Sequence, residues 1–201
     1  MMNIKNNLFF LFFSFSLLAN QNIFNWESMT SLINSNSITK DANGDIVGAT
    51  SGGIIRLDDN IEIIKNNLSN LNLSLINLDN KNLIWSASNS PNTKIQVFDS
   101  NYNLIYDSIY SLPTLDSIID FAFSDSKVFA IYLYQNDVGV LEFNYDNDIP
   151  YYVDYYSSND FPGLIDQITD IDLYGDSIYV TTDTGVFVAD FNNSNLNFSS
   201  S

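Results

Sequence analysis

The 201-residue chain sets 24 acidic side chains against seven basic ones, a formal net charge of −17 at pH 7. Such a surface repels phosphate, which excludes a nucleic-acid binder and argues against anionic lipid headgroups as a target. Cysteine and histidine are both absent; this removes disulfides, thiol nucleophiles, imidazole bases and nearly all zinc or copper sites, so packing alone must hold the fold.

The amino terminus reads as a targeting segment. Lys5 supplies a positive start, and residues 8–18 form an uncharged apolar run of eleven. A bilayer span takes roughly 20 such residues, so the run fits a secretory signal over 1–21, cut near Ala19, better than an anchor. No later stretch is apolar enough for membrane insertion once the signal is removed. Residues 23–30, around Trp26, are apolar with no hairpin partner beside them and read as a lone strand.

Four similar units follow. In the first, strands are expected over 37–40, 45–50, 54–58 and 61–64, with turns at Asp41-Ala42-Asn43-Gly44 and Ser51-Gly52-Gly53. The second places strands over 73–78, 83–87, 94–98 and 104–107. The third places them over 118–123, 128–134, 138–143 and 151–155. The fourth carries 168–173, 178–182 and 186–191, and its last strand is expected to begin near Leu196. Polar turns containing glycine, such as Asp183-Thr184-Gly185, join short β-branched runs in the manner of antiparallel hairpins. The second-strand openings Ile46, Leu83, Val128 and Ile178 lie 37, 45 and 50 residues apart, a drift that loops of unequal length produce.

Four short antiparallel strands recurring every roughly 40 to 50 residues predict an all-β chain built as a β-propeller. Strands such as 129–133 are apolar on both faces, as stacking of sheet on sheet requires. A β-sandwich or β-helix has no need of this period. The predicted blades cover 37–65, 73–108, 117–156 and 167–201 within a domain over 22–201. Because closed propellers use roughly four to eight blades, four make either a small ring or, as the interrupted look of 192–201 suggests, an incomplete one whose gene continues past Ser201 with more blades and a C-terminal β-domain. The strand at 23–30 would then close the last blade.

Candidate sites are few. Asp41, Asn43 and Asp45 have the 1, 3, 5 spacing of a calcium loop, but its sixth and twelfth positions hold Ile46 and Gly52 instead of Gly and Glu, so a turn explains them better. Only Glu27, Glu62 and Glu142 are glutamates, and the aspartates fall mostly in turns. With no nucleophile elbow either, the residues argue against an enzyme and call for no cofactor and no metal. Tyr151, Tyr152, Tyr155 and Tyr156 could stack on sugar rings, although at strand spacing they divide between two faces of an outer strand, where blade packing also accounts for them. The sequons at Asn67, Asn72, Asn192 and Asn197 are expected by chance in so Asn-rich a chain.

The stretch from Asp41 through Gly44 and Thr50 to Gly53 resembles the two-component-regulator type of propeller repeat, in which a polar DxxG turn precedes a strand with tryptophan and threonine, then a glycine turn. Trp85 keeps the tryptophan, and Thr182 and Gly185 keep the threonine and glycine; Val47 and Tyr179 depart from the tryptophan. Gly139 holds a glycine in the third repeat. With the signal segment and the Trp26 strand, the chain is most similar to the PorZ-like propellers of type IX secretion. The resemblance implies a non-enzymatic, secreted, periplasmic or outer-surface scaffold for protein partners at the cell envelope, assisting export of cargo with a C-terminal sorting signal. The competing implication is an extracellular ligand-recognising propeller, either a glycan-binding module or the sensor domain of a two-component receptor.

Overall fold

The structure is a computed structural model that describes residues 35–200 apart from 42, 59, 61, 69–71, 90–92, 109–114, 136, 164–166, 184 and 193–195. The signal segment, the strand over 23–30 and Trp26 lie outside the described residues.

Among the described residues, sixteen strands form four sheets, each an antiparallel meander in chain order. The first sheet holds β1 Ser35–Lys40, β2 Ile46–Thr50, β3 Gly53–Leu57 and β4 Ile63–Leu68. The second holds β5 Leu73–Leu78, β6 Ile84–Ser88, β7 Lys94–Phe98 and β8 Leu104–Asp107. The third holds β9 Ser117–Phe123, β10 Lys127–Tyr134, β11 Asp137–Asp146 and β12 Ile149–Tyr156. The fourth holds β13 Ile168–Tyr174, β14 Ser177–Thr182, β15 Gly185–Asp190 and β16 Ser199–Ser200. Successive first strands, β1, β5, β9 and β13, pack side by side, the radial arrangement of propeller blades. The four sheets do not close into a ring. The last strand starts at Ser199, later than Leu196, because Leu196 and Phe198 are buried as plugs in the apolar layer instead of pairing along β15.

The hairpin turns explain the aspartates. At Asp41, Asp58, Asp79 and Asp99 the side-chain Oδ1 accepts the backbone N–H groups two and four residues on, at 2.8–2.9 Å. The fourth residue of three of these loops is left-handed: Gly44 at φ +91°, Asn82 at +60° and Tyr102 at +64°. The hydrogen bonds hold Asn82 and Tyr102 where glycine would be easier. A second recurring turn follows β2 and β14, where Thr50 and Thr182 donate Oγ1–H to the carbonyls of Gly53 and Gly185.

Each first strand also carries a one-residue bulge, at Asn36, Ser74, Ile119 and Thr169. The fourth strands of the first three sheets carry another, at Ile64, Ile105 and Val153. The middle strands pair without a slip. Bulges bend and twist the margins of each sheet.

Three apolar layers lie between neighbouring sheets. The first is built from Val47, Ala49 and Ile54 against Leu73, Ile76, Ile84 and Phe98. The second centres on Trp85, Phe121 and Phe143. The third joins Phe129, Ile131 and Val140 to Ile171, Ile178 and Val180. Gly139 acts here by packing and not as a turn: a Cβ at this position would collide with the Tyr156 carbonyl oxygen and come 2.6 Å from the Tyr132 hydroxyl.

Candidate functional site

Register places Val47, Trp85, Phe129 and Tyr179 at one equivalent position of the four sheets, paired across to Arg56, Val97, Glu142 and Val188. In the first three sheets this side chain is buried against the next sheet; in the fourth, Tyr179 is half-buried on a face that no described sheet follows. What occupies the position decides how full each junction is.

At the second junction it is filled. Trp85 is fully buried, with ring centroids of Phe121, Phe123, Phe143 and Tyr145 at 5.7, 5.9, 5.4 and 6.4 Å. Its indole N–H donates to Asp79 Oδ2 at 2.9 Å, and the Tyr145 hydroxyl donates to the same oxygen at 2.5 Å. Asp79 therefore holds its own turn with one oxygen and two aromatic side chains with the other. Burial raises the Tyr145 phenol above its ordinary range, and the bond to Asp79 adds to this.

At the first junction the same position is Val47, and where Trp85 faces Phe123 and Tyr145, Val47 faces the smaller Leu78 and Ser100. The missing volume is a cleft of about 340 Å³ at the turn end of the junction, lined by Val47, Leu78, Ile84, Arg56, Ser100 and Tyr102 among others. Arg56, the only arginine of the chain, forms one wall. Its Nε and Nη2 bond Asp45 Oδ2 at 3.0 and 2.6 Å, and Nη2 lies 2.7 Å from Asp41 Oδ2. Asp41 is thus the counterpart of Asp79, with a guanidinium where the second junction has an indole. These bonds account for Asp41 and Asp45, the residues of the calcium-like spacing. Burial pushes the Tyr102 phenol up to about 12. The mouth carries Lys81, whose ammonium lies 2.5 Å from Asp148 and 5.0 Å from the Tyr145 ring centroid; the bond to Asp148 raises its pKa.

Two further groups of ionisable side chains stand apart from the cleft. Between the inner strands β9 and β13, burial raises Asp120 to about 6, helped by a hydrogen bond with Asp170. At the third junction Glu142, 3% exposed, accepts from Lys127 Nζ at 2.6 Å and from the Tyr156 hydroxyl at 2.8 Å. Among the described residues, no cluster of three or more acidic side chains converges as a metal site, and no helix is long and apolar enough to cross a membrane.

The four tyrosines do not share one surface. Tyr156 is buried on Glu142, and Tyr152 packs edge-on to Phe143 at 6.0 Å. Tyr151 and Tyr155 are 44% and 52% exposed, but Tyr151 pairs with Asn144 and Tyr155 with Leu141, which puts them on opposite faces of the sheet. Sequence reasoning missed the cleft, Arg56 and the Asp79 network. The one signal available was the change from tryptophan to valine at the same repeat position.

No protein-family model and no curated protein sequence matches the chain. Solved structures do match at low identity, and propeller folds are among them. A gluconolactonase from Xanthomonas campestris is 15% identical with a TM-score of 0.56, over 83% of this chain and 61% of that one. The Pan2 WD40 domain of Neurospora crassa is 13% identical with a TM-score of 0.60, over 85% and 54%. An extracellular domain assigned to a hybrid two-component system of B. thetaiotaomicron is 16% identical with a TM-score of 0.60, over 82% and 23%. The chain therefore spans less than two thirds of each of these proteins, and the likeness establishes the propeller fold.

Proposed function

We propose that the chain is the propeller part of a secreted cell-envelope protein that holds protein partners without transforming them, and that it serves as a PorZ-like accessory of type IX secretion, as its repeat resemblance implies. The observation that supports this reading is how the partly buried charges are used. Arg56 is clamped by Asp41 and Asp45, and Glu142 is locked between Lys127 and Tyr156. Acid–base turnover needs groups poised to exchange protons with a substrate; these groups brace strands, as a rigid scaffold needs. Deleting the gene in its host should leave cargo with a C-terminal sorting signal in the periplasm. Unchanged surface display of that cargo would overturn the secretion role.

A second reading, the sensor domain of a two-component receptor, is favoured by the likeness to extracellular domains of hybrid two-component systems at TM-scores of 0.56 and 0.60. It requires a transmembrane helix and a kinase domain encoded in the same gene, and a glycan ligand in that setting would stack on Tyr151 or Tyr155 singly. Loss of glycan-array binding in Tyr155→Ala supports it; an array with no signal for the parent chain counts against a glycan.

A further inference from the structure

The second junction shows what the first one lacks. Both begin from the same turn, with Asp41 and Asp79 in the same bonds to backbone N–H groups. Both place one more aspartate oxygen at the same spot, toward Trp85 in one case and Arg56 in the other. Where the second junction carries three aromatic rings, at Trp85, Phe123 and Tyr145, the first carries Val47, Leu78 and Ser100 at the equivalent positions, with the Tyr102 ring beside them. The resulting cleft opens at the surface beside Tyr102 and an apolar floor of Val47 and Ile84, and at about 340 Å³ it is at the small end of sites that take a small molecule or a single large side chain.

The surroundings select the charge of what enters. Arg56 is neutralised twice over by Asp41 and Asp45, Lys81 is paired with Asp148, and Asp99 stands at the rim. The protein as a whole carries −17, so an acidic segment is repelled and a basic one is drawn in. We infer that this cleft is the docking pocket for an aromatic side chain, tryptophan above all, presented by a basic segment of a partner protein, which fills the first junction as Trp85 fills the second. A tryptophan brings a large apolar ring and one N–H donor, the combination that Asp79 and its neighbours already accommodate, and such rings are the usual anchors of protein interfaces. This rests on the partner-holding reading and names the partner's chemistry.

The test uses the full chain and three short capped peptides of one length, with cores Lys-Trp-Lys, Lys-Ala-Lys and Glu-Trp-Glu, each carrying a terminal fluorophore for polarisation titration. Lys-Trp-Lys should bind at least about tenfold more tightly than either control. Val47→Trp, which places the second junction's own residue in the cleft, should weaken that peptide by about tenfold or more. Should Val47→Trp fail to fold by circular dichroism, Ser100→Tyr, at an exposed turn position, makes the same block. Equal binding of Lys-Trp-Lys and Lys-Ala-Lys, no binding of Lys-Trp-Lys, or undiminished binding in a folded cleft-filled variant would each overturn the inference. The gene-deletion experiment reports on the secretion role whichever way the peptides behave, so the two can fail separately.

Discussion

The first and second junctions are built on one backbone template and differ in what fills it. Around Trp85 the second is a solid aromatic layer with a buried aspartate tying two rings to a turn. The first is a smaller layer, mostly aliphatic with Phe98 and Tyr102 at its margin, stitched at its inner edge by polar bonds: Ser37 Oγ with the backbone of Ile76 at 3.3–3.4 Å and Asn36 Nδ2 to the Leu73 carbonyl at 2.6 Å. A propeller blade thus tolerates a large change in junction volume, because the sheet hydrogen bonds that define it lie within each sheet. What changes is whether the junction serves stability or leaves a cleft.

The largest effect that would sharpen this contrast is Trp85→Ala. It should cost about 3–5 kcal/mol in urea denaturation, through lost burial plus the cavity left behind. A loss below about 1 kcal/mol would mean the second junction is no fuller than the first. Gly139→Ala should follow at about 3 kcal/mol, because the Tyr156 carbonyl that meets its Cβ is backbone and cannot swing aside. Next, Asp79→Ala should cost about 2–3 kcal/mol and Asp41→Ala about 1 kcal/mol, since the first leaves the buried Trp85 and the half-buried Tyr145 donors unpaired and the second only loosens a part-exposed guanidinium. Equal losses would break the comparison. The smallest effect concerns the third junction. Asp120 is raised to about 6, so the stability it contributes is present below its unfolded value of about 3.9 and is lost as pH rises through about 6. After solvent screening this amounts to less than about 1 kcal/mol. Asp120→Asn should remove that slope between pH 4 and 7, and an unchanged slope would show that the pair with Asp170 is not responsible.

The alternation of short β-branched runs with Asp- and Gly-containing turns made the blades legible before any coordinates. Strands β5, β7 and β8 fall where their residues place them, and the Thr50–Gly53 and Thr182–Gly185 turns sit where threonine and glycine recur. The bulges were not legible, because an extra residue such as Val153 carries no local signature. Yet that slip decides which face Tyr151 and Tyr155 occupy. The cleft was illegible for a different reason. It arises from volumes summed over Val47, Leu78 and Ser100, residues on three segments that meet only when the two sheets stack.

Hydrogen exchange followed by mass spectrometry tests the contrast between the junctions most directly. Amides of β6 and β10, which flank the Trp85 layer, are expected to exchange at least about tenfold more slowly than those of β2 and β3 beside the cleft. Equal protection across the two junctions, or slower exchange in β2 and β3, would contradict it.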